Sequence, residues 1–223
     1  MARQLYELTG AADLRFSPFC WRTRMALAHK GLEAERIPCR FTDKERIAFS
    51  GQEKVPVLVD GEQTISDSWA IACYLEDVYP DAPALFGGEA ARATTRFVNT
   101  WADTRLAPAL LRVVLPSIVE HHLDPADYDY FVTTRERRFG MSVVAIRAQR
   151  EDAVAAVLRE LTPLRQLLQD QPWISGAAPA YADYSVAGML QWQRLVDGDA
   201  LLADEPRIRA WRDAVLSQVP AAG

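Results

Sequence analysis

The spacing of apolar residues changes part-way along the chain. Up to about residue 80, short runs suited to strands alternate with stretches of helical period, and from about Ala90 onward the pattern is helical throughout. Gln4–Leu8 predicts a first strand. Over residues 18–30, Trp21, Met25 and Leu27-Ala28 fall at helical spacing, and Gly31 follows as a C-terminal cap. A second strand is expected over Glu35–Cys39, followed by an irregular polar stretch. Residues 55–59 and 63–65 then form a hairpin, because Asp60-Gly61 supplies the conformations that a tight turn demands. A helix starts near Ser66, carries Ile71, Tyr74-Leu75 and Val78 on one face, and stops at Tyr79-Pro80. Beyond it, amphipathic helical segments are expected over about residues 90–114, 141–169, 183–196 and 206–219, as in a helical bundle. The boundaries read as a first domain over 1–80, a linker over 81–89 rich in Pro, Ala and Gly, and a helical domain over 90–223. No fixed-period repeat is visible, which excludes a solenoid.

Composition narrows the function classes. Hydrophobic residues make up 49% and charged residues 25%, enough apolar material for a core and unlike a disordered chain. The formal charge of −5 provides no overall basic field, so neither nucleic acid nor a membrane surface is an expected partner. The opening residues Met1 to Tyr6 lack an apolar signal core and no apolar run approaches a membrane span, so a cytoplasmic protein is expected. Cys20, Cys39 and Cys73 are scattered and odd in number, which suggests neither a disulfide framework nor a metal clip. With His29, His121 and His122 as the only histidines, there is little material for a zinc site or a Ser-His-Asp triad; no metal is expected.

Three local motifs carry candidate chemistry. Ser17-Pro18-Phe19-Cys20 precedes the first helix, placing a hydroxyl at the N-cap and proline at the first helical position. The order resembles the Cys-Pro-Phe/Tyr-Cys of glutaredoxins with serine for the first cysteine. A helix N-terminus favours an anion such as a thiolate just outside it, and with serine there the thiolate must belong to a ligand. Taken alone, Ser17 reads as an ordinary cap. Lys54-Val55-Pro56-Val57-Leu58-Val59-Asp60 is a strand opened by proline, where no ladder N–H is required. A trans Pro56 is the ordinary expectation, whereas a cis bond would turn the Val55 backbone outward to pair with an extended peptide. Ser66-Asp67-Ser68-Trp69-Ala70-Ile71 opens the next helix: its N–H groups and the Ser68 hydroxyl suit a ligand carboxylate, and Asp67 suits an ammonium group. A routine cap is the plainer reading of this motif too.

Together, Ser-Pro-Phe-Cys-Trp-Arg, Lys-Val-Pro-Val-Leu-Val-Asp and Asp-Ser-Trp-Ala-Ile-Ala-Cys-Tyr-Leu-Glu, in that order, resemble the glutathione site of soluble glutathione transferases. The resemblance implies an α/β thioredoxin-like domain with a mixed four-stranded sheet, followed by an all-helical domain. It implies glutathione as co-substrate, with Ser17 as the catalytic residue donating a hydrogen bond to its sulfur. Val55 before a cis Pro56 would pair with the cysteinyl backbone, and Asp67 and Ser68 would hold the γ-glutamyl end. Lys54 or Gln52 would reach the glycyl carboxylate, and Phe19 joins this glutathione-binding set. A small hydrophobic electrophile and a homodimer are the implied partners. In the second half, Trp173-Ile174-Ser175-Gly176 and Ala182-Asp183-Tyr184-Ser185 resemble the family's folding motif, except that Ala180 stands where Ser or Thr is usual. That removes half of a capping box and is expected to weaken the helix start. Within the superfamily, Ser-Pro-Phe-x-Trp-Arg-Thr and Asp-Ser-Trp-x-Ile are similar to bacterial lignin β-etherases and related fungal transferases; a relative acting on another electrophile fits the same motifs.

Other residues read less sharply. Cys20 invites a glutathione-dependent reductase or isomerase, although a buried small hydrophobe is the expectation. A non-catalytic glutathione-binding module is the remaining alternative. His29 reads as a surface residue aiding the helix C-terminus. Phe97, Trp101 and Arg105 share a helix face and are candidates for the electrophile pocket. Residues 120–138 suggest either a lid or, preferred, a solvated connection with anchoring aromatics.

Overall fold

The computed structural model describes residues 3–218. Strand β1 (Gln4–Leu8) sits inside a four-stranded sheet of order β2-β1-β3-β4. It pairs in parallel with β2 (Glu35–Cys39) and antiparallel with β3 (Val57–Asp60), which turns through Gly61 (φ 61°) into β4 (Gln63–Ser66). Parallel neighbours require a crossover, and α1 (Pro18–His29) supplies it. β3 begins two residues later than expected, with Val57 opposite Tyr6, and the Val55-Pro56 peptide bond is cis. The stretch after β2, expected to be irregular, contains a 3-10 turn over Lys44–Ser50 that buries Ile47 and ends at Gly51 with φ 68°. Helix α2 (Ser68–Val78) closes this half of the chain.

The remainder is helical: α3 (Glu89–Trp101), α4 (Ala107–Ser117), α5 (Tyr128–Phe139), α6 (Val143–Ala148), α7 (Arg150–Glu160), α8 (Thr162–Asp170), α9 (Tyr181–Asp197) and α10 (Pro206–Leu216). α3 and α4 run on through a π-helical turn at Ala102–Leu106, so the predicted segment 90–114 is nearly continuous. Segment 141–169, by contrast, breaks into α6, α7 and α8. Ser142 caps α6 through the Ala145 N–H at 3.2 Å, and Pro163 in the first turn of α8 cannot continue the hydrogen-bond ladder of α7. Residues 120–138 are no solvated connection. Buried Asp127 accepts from the Phe41 N–H (3.1 Å), the Thr42 N–H (3.0 Å) and the Thr42 hydroxyl (2.6 Å), anchoring the start of α5 to the loop after β2. Phe131, also buried, packs edge-on against Phe41 with centroids 4.9 Å apart.

α9 lies at the centre, buried almost end to end. Its start is secured despite Ala180, because the buried Asp183 carboxylate accepts from the N–H groups of Ile174 (2.8 Å), Ser175 (3.1 Å) and Ala180 (3.2 Å) and from the Trp211 indole (3.0 Å). Four donors replace what a capping hydroxyl would have added, so the weakness expected there is offset by contacts beyond the motif. α1 crosses α9 at Gly188, where a Cβ would stand 2.7 Å from the Pro18 carbonyl oxygen. Buried Arg22 of α1 fastens the crossing: its Nε donates to the Ser185 carbonyl (3.0 Å), and Nη1 donates to Asp103 (2.6 Å) and Asn99 (3.3 Å). His29 belongs to the same seam rather than to the surface. With Nε2–H donated to the Ala84 carbonyl at 3.0 Å, Nδ1 accepts from the Tyr184 hydroxyl at 2.7 Å, a tautomer assigned from the acceptor-only carbonyl.

Two outcomes follow from this seam. Gly188→Ala lowers stability by about 1–3 kcal/mol, since the backbone clash outweighs the ~1 kcal/mol that alanine gains in a helix. Thermal unfolding reads this as a fall of several degrees, and an unchanged midpoint would show that the helices separate freely. Burial first of all, opposed by the Ala84 bond, lowers the His29 pKa below its ordinary value. The unfolded chain therefore takes up that proton first, and stability falls as pH drops through about 6.5. Denaturant titrations from pH 7.5 to 5 should show a shallower decline for His29→Gln than for the parent; equal slopes would refute the assignment.

Candidate functional site

The site is built around the start of α1. Ser17 takes an extended conformation (φ −60°, ψ 123°) and Pro18 supplies the first helical residue without an N–H, so the helix begins here for local reasons. The Ser17 Oγ accepts from the Cys20 N–H at 3.4 Å, which leaves its own proton free to be donated. Although only 5% exposed, Ser17 lines a cavity of about 390 Å³ between the sheet and the helical half, a size within the roughly 300–1,000 Å³ usual for small-molecule sites.

Phe19, Lys54 and Val55 share that cavity with Ser17, so chain segments that are distant in sequence meet as expected. Pro56 is buried behind them, and its carbonyl accepts from the Asp67 N–H at 3.3 Å, joining the second motif to the third. Asp67 is held at φ 78°, a left-handed conformation unusual for aspartate, and caps α2. Its Oδ1 accepts from the Trp69 N–H (3.0 Å) and the Ala70 N–H (3.1 Å), while Oδ2 has no partner among the described residues. Buried Ser68 gives its carbonyl to the Tyr181 hydroxyl at 2.7 Å. Asp67, Ser68 and exposed Gln52 lie off the cavity wall itself.

Cys20 is sealed in. It is 2% exposed, and burial pushes its thiol up to about 12. Such a thiol is a poor nucleophile at neutral pH. Burial likewise raises Cys39 to about 11.

Phe97, Trp101 and Arg105 do not line the cavity. Phe97 is 75% exposed, and Arg105 points to Glu160, 2.7 Å away. Asp103, Ala107 and Leu111 take the wall instead. A step of two residues turns a helix by about 200°, so the faces through 101/105 and 103/107 are nearly opposite, and aromatic content does not reveal which one looks inward. The facing wall comes from α5, through Tyr130, Phe131, Arg135 and Arg138, and from Phe41 and Lys44 after β2. Only the lid alternative for residues 120–138 put the α5 residues near the site, and Phe41 and Lys44 were not expected there. The only signal was the 131/135/138 spacing on a segment too polar to announce a core-facing helix.

Residues 93–219 match the family described as the glutathione S-transferase C-terminal domain, and residues 16–78 match the glutathione S-transferase N-terminal domain. A glutathione S-transferase-like protein, ustS, from Aspergillus flavus is 30% identical over 145 residues, covering 59% of this chain and 51% of that relative. The chain thus spans about half the length of this curated relative. Among solved structures, the glutathione transferase GSTFuA3 of Phanerochaete chrysosporium superposes with a TM-score of 0.90 at 23% identity, over 100% of this chain and 99% of that one. A glutathione S-transferase of Ceriporiopsis subvermispora, solved in complex with glutathione, superposes at 0.86 with 24% identity over the full length of both chains.

The buried thiol yields a direct check. With the native protein at pH 8, iodoacetamide should modify half-buried Cys73 before Cys20 and Cys39, with all three reacting in denaturant. Native-state labelling of Cys20 as fast as that of a free thiol would overturn its assignment to the core.

Proposed function

This chain belongs to the glutathione S-transferase family, and from that premise we propose that it conjugates glutathione to a small hydrophobic electrophile, using Ser17 to stabilise the glutathione thiolate. The observation that carries the reading is the placement of a buried N-cap hydroxyl, its proton unspent, on the wall of the interdomain cavity. A free thiol titrates near pH 8.5, and each unit of lowering is worth about 1.4 kcal/mol. One charge-assisted hydrogen bond, about 1.5–3 kcal/mol, together with the helix N-terminus, supplies a shift of that order. The thiol proton leaves to solvent, the sulfur forms a bond to the electrophilic carbon, and the leaving group departs with its electron pair.

The rest of the tripeptide has matching groups. The Val55 backbone, beside the cis bond to Pro56, is available to an extended cysteinyl segment. The free Oδ2 of Asp67 suits the γ-glutamyl ammonium group, with Ser68 and the first N–H groups of α2 beside its carboxylate. Lys54, exposed and without an ion pair among the described residues, suits the glycyl carboxylate better than Gln52, which lies off the cavity wall. The glutathione held by the Ceriporiopsis neighbour supports this ligand. We read residues 1–80 as the glutathione-binding unit, 81–89 as linker and 90–223 as the electrophile-binding unit, in a cytoplasmic homodimer of the serine type and of the branch that resembles the lignin β-etherases and related fungal transferases. Sequestration of Cys20 disfavours a disulfide-exchange role.

Ser17→Ala tests the assignment. Its kcat/KM for 1-chloro-2,4-dinitrobenzene should fall by about 10–100-fold, with the rising, acid-side limb of the pH profile moving up by about one unit or more. Calorimetry should still detect glutathione binding to the variant. Undiminished turnover with an unmoved pH profile would remove Ser17 from the mechanism.

A further inference from the structure

The cavity carries a charge pattern that glutathione alone does not account for. Asp43 on its wall is tied to Arg40 at 3.0 Å, Asp103 to Arg22 at 2.6 Å, and Glu53 is exposed at the rim. The cations facing them are less spent. Lys44 donates to the Glu53 backbone carbonyl (2.6 Å) and stands over the Tyr130 ring, Lys54 is assigned above to the glycyl carboxylate, and Arg135 and Arg138 have no carboxylate within ion-pair distance among the described residues. A chain of net charge −5 therefore keeps a local excess of positive charge in this interdomain cavity.

Arg135 is the informative residue. Its guanidinium lies 4.2 Å over the Phe131 ring and 5.4 Å from that of Phe41, and Nη1 donates to the Thr134 hydroxyl at 2.7 Å. Stacking on aromatic faces leaves the guanidinium edge, with most of its five donors, available. The buried arginines elsewhere in the chain, Arg22, Arg24 and Arg212, each meet a carboxylate. Arg135 is half-buried, and burial above all lowers its pKa, opposed by Tyr130 and reinforced by the charge of Arg138, so a bound anion would stabilise the cation. Arg138 stands three residues on along the same helix face, at the same cavity.

We propose that the electrophile conjugated in this cavity carries a carboxylate, which docks on Arg135 and Arg138 while its apolar body lies against Phe41, Pro108 and Leu111. The proposal rests on reading the cavity as the conjugation site and adds the substrate class. Arg135 and Arg138 are then specificity-determining residues, contributed by α5, and Asp127 positions them by holding the start of that helix against the loop after β2.

A matched pair of probes tests it: 4-chloro-3,5-dinitrobenzoate and 2-chloro-1,3-dinitrobenzene, which share the reacting carbon and flanking nitro groups and differ only in the carboxylate. The readout is the ratio of kcat/KM for the acid to that for the neutral ring, compared between parent and variant so that intrinsic reactivity cancels. Loss of one charge-assisted contact should lower this ratio by about tenfold or more in Arg135→Gln and by a smaller factor in Arg138→Gln, with partial recovery in Arg135→Lys. Should Arg135→Gln fail to fold, the exposed Arg138→Gln carries the same comparison. A proportional loss for both substrates, or a rise in the KM for glutathione with no change in the ratio, would overturn the proposal; the second result would give the guanidinium to the tripeptide instead. Calorimetry with 3,5-dinitrobenzoate and 1,3-dinitrobenzene, which lack the leaving group, separates the two readings. If the parent turns over neither chloride yet binds the acid more tightly in a manner lost in Arg135→Gln, the anion site stands and the transferase reading fails. Equal affinity for the two unreactive probes in parent and variant would sink the anion site whatever the turnover.

Discussion

The crossing of α1 over α9 is the constraint on which the site depends. Gly188 lets the first turn of α1 come close enough that any side chain there would meet the Pro18 carbonyl, and Arg22 locks the contact through Ser185, Asn99 and Asp103. Because Ser17 is the cap of that same turn, the packing of two helices sets where its hydroxyl stands relative to the helical half. A guanidinium is costly to bury unless its donors are met, so the partners of Arg22 also specify which groups must face α1. Asp103 does both jobs: it accepts from Arg22 Nη1 and forms part of the cavity wall.

A second tie completes the enclosure. Asp127 takes three donors from residues 41 and 42, so the loop after β2 and the start of α5 move as one unit. The aromatic stack of Phe16, Phe41 and Phe131 fills the space beneath, with centroids 6.2 and 4.9 Å apart. An apolar floor with cations at its edge is thus assembled from both halves of the chain. Overall charge and local charge diverge here: the negative surplus lies elsewhere, and the cavity keeps the sign suited to thiolates and carboxylates.

Much of the architecture is local in origin and was readable from residue order. Ser17-Pro18 starts α1, Asp60-Gly61 turns β3 into β4, and Asp67 caps α2, each through interactions spanning at most four residues. The family likeness rests on these same short motifs. The helical half was legible as helix but not as a set of facing surfaces. There, one long amphipathic segment proved to be three helices, and a polar stretch taken for a connection proved to be α5.

The amino-acid order by itself determined the starts of α1 and α2, the turn between β3 and β4, and which hydroxyl sits at the first helix start; backbone sterics and capping act over a single turn and need no distant partner. Tertiary structure alone decided which face of the turn at Ala102–Leu106 and of α4 lines the cavity, that α5 covers it, that Asp183 secures the start of α9 despite Ala180, and that Arg135 stands without a counter-ion among the described residues. These depend on contacts such as Asp127 with Thr42, 85 residues away, and Arg22 with Ser185, 163 residues away. Burial and charge pairing are properties of the packed ensemble of side chains, and no window of local sequence contains both partners.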